Sequence, residues 1–272
     1  MADYLEKLKQ YCEANDNVRL AFVYGSAAKG LAGEDSDIDI GVHLGSPRKD
    51  DEVWMDLSNL VDKEVDLIIL NDAPATLVSN IMRTGLPLVI KDKGLYWDIY
   101  LTETLEAEDF YEFTKSYWEI YERSRSLTLE DKTRLIERVQ FLEIEFQEID
   151  HLKDLTYKEY IEEKMKRRNV ERWAENVVNA TIDIAKIVLA SEKREIPKTY
   201  EQALLSFGLL IGLDEKQATL LSSFARLRNI LAHQYLDITY QRLKTFIKDS
   251  PSVYDVVLGF ARTKIRPTDT PS

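Results

Sequence analysis

Gly25-Ser26, then ten residues, then Asp37-Ile38-Asp39 join a turn to two closely spaced carboxylates. A strand alternates its side chains with period two, so Asp37 and Asp39 point to one face while Ile38 and Ile40 point to the other. Asp66 lies alone on the next strand among Val65, Leu67 and Ile68, where a carboxylate is costly unless it reaches the same site. Three such groups ionise together only with a cation between them. An all-oxygen set of this kind suits Mg²⁺, which keeps some waters and takes substrate phosphates as further ligands. Gly25-Ser26 ends an apolar run before a helical segment from Ala27. Backbone N–H groups and the serine hydroxyl there suit a triphosphate. His43 shares the parity of the aspartates but sits ~13 Å further along the strand, and reads as a surface residue.

A second group of chemically able residues is Arg228-Asn229-Ile230-Leu231-Ala232-His233-Gln234-Tyr235, closing a helix that carries Leu220, Leu221, Phe224 and Leu227. Metal-free RNA cleavage needs a group for the 2′-hydroxyl or the leaving oxygen, which His supplies near neutral pH. It also needs a fixed cation for the phosphate, which Arg supplies. On a regular helix Arg228 and Tyr235 share a face, while His233 lies roughly 140° round from Arg228. Either the helix is distorted near His233 or a second chain completes the site across a twofold interface; the second is the preferred reading. The plainer alternative is that Arg228 and His233 only cap a helix C-terminus, where cations are favoured. The run Lys164, Lys166, Arg167, Arg168 and Arg172 is the RNA-facing patch such a site would need, or else a solvated helix face. His151, beside Asp150, reads as solvent-facing.

The elements that must position these residues change in texture along the chain. Arg19–Tyr24, Ile38–Leu44, Val65–Leu70 and Pro87–Lys91 read as strands, with helices around Asp51–Leu60 and Pro74–Thr84 between them. Residues 1–105 are therefore expected to form an α/β domain with a small mixed sheet and flanking helices. An aromatic-rich connecting helix over 106–127 follows. From Thr128 only helical patterns remain, so 128–265 is expected to be an all-α bundle, with a frayed tail at 266–272. Thr128 with Asp131, and Thr156 with Glu159, have the spacing of helix-start boxes. Leu135, Val139, Leu142, Phe146 and Ile149 mark one helical stripe. A long helical stretch runs from Thr156 through Val170, Trp173, Val177 and Ile184 until Pro197. Further helices are expected at about Tyr200–Ser206, Asp214–His233, Tyr240–Lys248 and Ser252–Arg262.

Composition narrows the function classes. The 272 residues are 44% hydrophobic, enough for packed cores. No apolar run approaches the ~18–20 residues of a membrane helix. Met1–Asn15 reads as a charged amphipathic helix rather than a signal peptide. The single Cys12 gives no intrachain disulfide and reads as a small helix-face residue, so the chain is expected to be cytoplasmic. A net charge of −12 and a pI of 4.9 argue against a general nucleic-acid coat and suit a cationic substrate.

Gly25-Ser26-x10-Asp37-x-Asp39 with Asp66 resembles the DNA polymerase β-like nucleotidyltransferases, in particular their minimal (MNT) group. The resemblance implies ATP and Mg²⁺ as cofactors, Asp37, Asp39 and Asp66 as metal-site residues with Asp66 nearest the attacking hydroxyl, and Gly25, Ser26 and Lys29 around the nucleotide. Lys29 stands where many relatives carry Arg; it keeps the charge but lacks the bidentate fork. Arg228-x4-His233-x-Tyr235 and the pattern around it resemble the HEPN ribonucleases, in the form found in toxins encoded beside MNT antitoxins. That resemblance implies a homodimer through the helical domain, RNA as substrate, Arg228 and His233 as its catalytic pair, and Tyr235 as the tyrosine that receives AMP. Three readings compete. One is a single-chain toxin–antitoxin-like protein that adenylylates its own ribonuclease domain. The second is a small-molecule, aminoglycoside-type nucleotidyltransferase whose helical domain shapes the cleft, favoured by the acidic charge. The third is a non-catalytic scaffold, against which the three aspartates speak. The Arg-x4-His-x-Tyr residues favour the first.

Overall fold

The computed structural model describes residues 2–28, 36–46, 50–123, 127–233 and 236–265. Its backbone divides into two compact units, Met1–Tyr111 and Glu112–Ser272. In the first, the short apolar runs become β1 (Val18–Val23), β2 (Ile38–Leu44), β3 (Val65–Ile69) and β4 (Leu86–Ile90). The helices are α1 (Ala2–Ala14), the single turn α2 (Gly25–Ala28), α3 (Asp50–Leu60), α4 (Ala75–Thr84) and the start of α5 (Lys93–Glu122). The sheet order is β3-β2-β1-β4. β1 is antiparallel to β2 and β4, while β2 and β3 run parallel, so the sheet is mixed as expected.

Side-chain parity divides the core between the two faces of this sheet. Ala21, Val23, Ile38, Ile40, Val42, Val65 and Leu67 pack with Leu8 and Cys12 of α1 and Val53 and Leu57 of α3. Leu20, Phe22, Tyr24, Ile68 and Leu70 face Val78, Ile81 and Met82 of α4 and Leu95, Tyr96, Ile99 and Tyr100 of α5. Val18 joins the first core rather than the second because the register of β1 shifts between Val18 and Leu20. Cys12 is fully buried, and burial pushes its thiol up to about 12. α5 starts well before the aromatic run at 106, because the Asp92 carboxylate accepts from the Leu95 amide at 2.9 Å and caps the first turn. The helix ends at Glu122.

The second unit consists of α6 (Leu129–Gln147), α7 (Ile149–Leu152), α8 (Tyr157–Glu162), α9 (Lys164–Ser191), α10 (Tyr200–Leu210), α11 (Glu215–His233) and α12 (Leu236–Ile265), with no strand among its described residues. α9 supplies the centre: from Val170 to Ser191 most of its side chains are buried, which fits a helix apolar on nearly every side. Phe146 stacks on Tyr254 at 4.8 Å, and the Thr181 hydroxyl donates to the Tyr254 oxygen at 2.9 Å. Thr128 caps α6, accepting from the Asp131 amide, and Thr156 and Glu159 form a complete capping box on α8.

Two further elements differ from the sequence reading. The stretch from Thr156 is two helices, because Glu163 adopts φ −101°, ψ 86° between α8 and α9. The helices expected on either side of 249–251 are one, α12, with Pro251 inside it. Proline there lacks the N–H that the carbonyl four residues back would receive. The helix is nonetheless held on both sides of it by Phe246, Val253, Tyr254 and Val257, all buried.

Candidate functional site

The register of the sheet decides where the acidic residues lie. Asp39 and Asp66 are paired partners on parallel β2 and β3, so their side chains leave the same face as neighbours. Both stand at the beginning of their strands, and β1, which runs the opposite way, ends beside them. The Tyr24 amide donates to the Asp39 carbonyl at 2.9 Å, placing the Gly25-Ser26 turn against Asp39. Gly25 has φ +66°, and a Cβ there would sit 2.0 Å from Asp39 Oδ2. Only glycine fits this position, for conformation and for space. Asp37 precedes β2 and is exposed; Lys63 donates to the carbonyl of the adjacent Ser36 at 3.4 Å.

Burial raises the Asp39 carboxyl above the usual range, and the charges of Asp66 and Asp37 raise it further. Asp66 is exposed, so the burial cost expected for it is not what ties it to the site; its pairing with Asp39 is. Among the described residues, no three acidic, histidine or cysteine side chains close into a metal cage. The donor set is instead a half-buried carboxylate crowded by two like charges, beside the bare backbone of Gly25. That arrangement fits a cation arriving with ligands of its own, such as Mg²⁺ on nucleotide phosphates.

Tyr24 is a member of the site that the sequence motif does not include. It is half-buried on the carboxylate face, and its phenol is pushed up to about 12 by burial and by Asp66 and Asp39. Its signal was parity with Leu20 and Phe22 on the strand leading into Gly25. His43 is half-buried rather than on the surface: its Nε2 lies 3.3 Å from Asn71 Nδ2, and burial with nearby Arg19 lowers its pKa. Lys29 lies outside the described residues.

In the second unit α11 remains helical through His233, so the backbone holds Arg228 and His233 roughly 140° apart. The Arg228 guanidinium lies over the Tyr200 ring, 5.1 Å from its centroid, and Phe113 meets that ring edge-on at 5.4 Å. A buried tyrosine with an aromatic neighbour thus fixes a half-buried cation. The His233 side chain and Tyr235 lie outside the described residues. Of the basic run on α9, Lys166 pairs with Glu159 at 2.8 Å and Glu163 at 3.1 Å, and Arg172 pairs with Glu175 at 2.8 Å. Arg167 donates to the Ile161 carbonyl at 3.4 Å. Two of the five cations, Lys166 and Arg172, thus have carboxylate partners, as on a solvated helix face. His151 is exposed on α7. No described helix is long and apolar enough to cross a membrane.

Comparison with known proteins agrees with this division. Residues 6–94 match the family model Polymerase beta, Nucleotidyltransferase, and residues 129–257 match Ribonuclease HepT-like. Among solved structures, a toxin–antitoxin crystallised with AMP-PNP is 21% identical over 40% of this chain and 87% of its own, with a TM-score of 0.34. A mutant of the toxin–antitoxin MntA-HpeT is 17% identical over 40% of this chain and 88% of its own, also with a TM-score of 0.34. No curated protein matches the sequence. The chain belongs to the polymerase β nucleotidyltransferases in its N-terminal unit and to the HepT-like, HEPN-type ribonucleases in its C-terminal unit, as a fusion of the two in one polypeptide.

Proposed function

We propose that the N-terminal domain transfers AMP from ATP, with Mg²⁺, to Tyr235 of the HEPN domain, and that this silences RNA cleavage by Arg228 and His233. The domain limits that go with this reading are 1–105, a connecting helix 106–127, 128–265 and a tail 266–272. The observation that carries it is the in-register pair Asp39–Asp66 beside the Gly25 turn, in a chain that also holds Arg228 braced on Tyr200. Asp37 and Asp39 would hold the metal, whose chemistry is to polarise the phosphates and ease departure of pyrophosphate. Gly25 and Ser26 offer the backbone and hydroxyl donors for the triphosphate, with Lys29 adding charge. Asp66 would stand nearest the incoming phenol and take its proton. The Tyr235 oxygen bonds to the α-phosphorus, the bond to the bridging oxygen breaks, and pyrophosphate leaves.

Tyr235 suits this role because a phenol gives up its proton more readily than an alcohol. AMP placed two residues from His233 would set a phosphate where RNA must bring its own, and like charge would repel the substrate. The helix uninterrupted through His233 supports completion of the ribonuclease site by a second copy of the chain, as a homodimer. The small-molecule transferase keeps one observation, the net charge of −12.

Intact mass and peptide mapping after incubation with ATP and Mg²⁺ separate the two. The expected result is one AMP-sized increase on Tyr235, absent from Tyr235→Phe and Asp37→Asn, with slower RNA cleavage by the modified protein. Label that persists at full stoichiometry in Tyr235→Phe would reject the regulatory reading in favour of the small-molecule enzyme.

A further inference from the structure

A cavity of about 470 Å³ in the helical unit is lined by Lys153, Gln241, Lys244, Thr245, Ile247 and Lys248. Among the described residues its lining holds three ammonium groups, an amide and a hydroxyl, and no carboxylate, in a chain of net charge −12. Lys244 and Lys248 are one turn apart on α12 and project from the same face. Lys244 Nζ donates to the Lys153 carbonyl at 2.7 Å, which closes one side of the cavity, and buried Ile247 forms an apolar part of its wall. Asp150, outside the lining, pairs with Lys153, so that among the described lining residues Lys244 and Lys248 are the cations without a carboxylate partner of this kind.

The cavity lies close to the Arg-x4-His-x-Tyr motif along the chain, since α12 starts just after Tyr235. Phe224 of α11 meets Phe246 of α12 edge to face at 4.7 Å, which fixes the height of one helix against the other. Arg228 is one turn, ~6 Å, from Phe224 toward the connection, and Lys244 is ~3 Å from Phe246 in the same sense. The two cations therefore stand at nearly the same height on the helix pair. They face different neighbours, Arg228 toward Tyr200 of α10 and Lys244 toward Lys153 after α7. Crossing two packed helices is a step of roughly 20 Å, which a few extended nucleotides span.

We propose that this cavity is a second RNA-binding site, holding backbone phosphates of the strand several nucleotides from the bond cut at Arg228 and His233. It rests on the ribonuclease reading above. Lysines are compact point charges, so the site reads backbone and not sequence. Its contribution is electrostatic and falls with salt.

Full-length protein carrying Tyr235→Phe, so that the acceptor stays unmodified, is titrated with labelled, uncleavable 2′-O-methyl oligouridylates of about 3 and about 15 nucleotides. Lys244→Gln/Lys248→Gln should weaken the longer strand about tenfold at low salt, and reduce its salt slope by roughly 1.4, at ~0.7 per lost phosphate contact. The short strand should bind unchanged. Lys248→Gln alone, at an exposed position, should remove about half of that slope and keeps the test valid should the double variant fold poorly. Unchanged binding of the longer strand, or an equal loss for both lengths, overturns the proposal. So does displacement of RNA by polyglutamate at equal charge, which would make the cavity a site for an acidic protein. Loss of RNA binding in Arg228→Ala beside an unaffected lysine variant sinks the cavity alone and leaves the ribonuclease standing. Failure of the parent to bind either strand sinks both.

Discussion

Replacing Gly25 with alanine tests the geometry of the nucleotidyltransferase site through two separable costs. The first is conformational: at φ +66° an L-residue takes up the left-handed region, which costs roughly 1–2 kcal/mol. The second is steric, because the new Cβ would lie 2.0 Å from Asp39 Oδ2 and 2.8 Å from its Cγ. The carboxylate must swing away by about an ångström, off its favoured rotamer, at a further ~0.5–1.5 kcal/mol. Gly212 provides the control, since it has φ +92° and nothing within 4 Å of where its Cβ would be. Gly212→Ala therefore carries the conformational cost alone, about 1–2 kcal/mol, and Gly25→Ala about 2–3 kcal/mol. Hydrogen exchange of peptides covering β1 and β2, and of those covering the α10–α11 connection, reads each local cost separately. Gly25→Ala should in addition lower ATP-dependent AMP transfer by more than tenfold, because Asp39 has moved, while Gly212→Ala leaves transfer intact. If Gly25→Ala destabilises its unit no more than Gly212→Ala does and still transfers AMP at the parent rate, the contact with Asp39 is not what requires glycine there.

Asp39→Asn should abolish AMP transfer while the metal-free melting temperature stays level or rises, because one of three crowded charges is gone; a variant that unfolds would refute the assignment. Glu103, pushed up to about 7 by burial and by Glu106, holds its proton more tightly in the native state. Its stabilising contribution is thus present below the ordinary carboxylate range and lost as pH rises through 7. Glu103→Gln should therefore be more stable than the parent at pH 8, by about 1 kcal/mol after discounting for solvent screening, with the gap closing toward pH 5 in parallel melts. Pro251→Ala should restore an N–H inside α12 and raise stability to urea by about 1–2 kcal/mol; an unchanged midpoint would mean that the helix has already compensated for the missing bond.

Much of this protein was legible in its sequence because the relevant physics is local. Strand parity alone set Asp39 on the face opposite Ile38 and Ile40, and β2 occupies the expected residues. Thr128 and Thr156 began helices because a threonine oxygen reaches an amide three residues on. Pro251 misled for the complementary reason: proline weakens a helix locally, whereas burial of Phe246, Val253 and Tyr254 keeps α12 continuous through it. What the sequence by itself determined was the inventory: a glycine turn, three aspartates, an arginine-histidine helix end, and a change from strand to helix texture. Only the tertiary structure decided which of these meet. The pairing of Asp39 with Asp66 is a register between strands distant in sequence. The need for glycine at position 25 is a contact between the end of β1 and Asp39 on β2. The brace of Tyr200 on Arg228 joins two helices, and the pairing of Lys166 in the basic run comes partly from Glu159 on α8. Spacing along a chain reports what neighbouring residues can do together, but distances between elements are set by packing, which no single segment encodes.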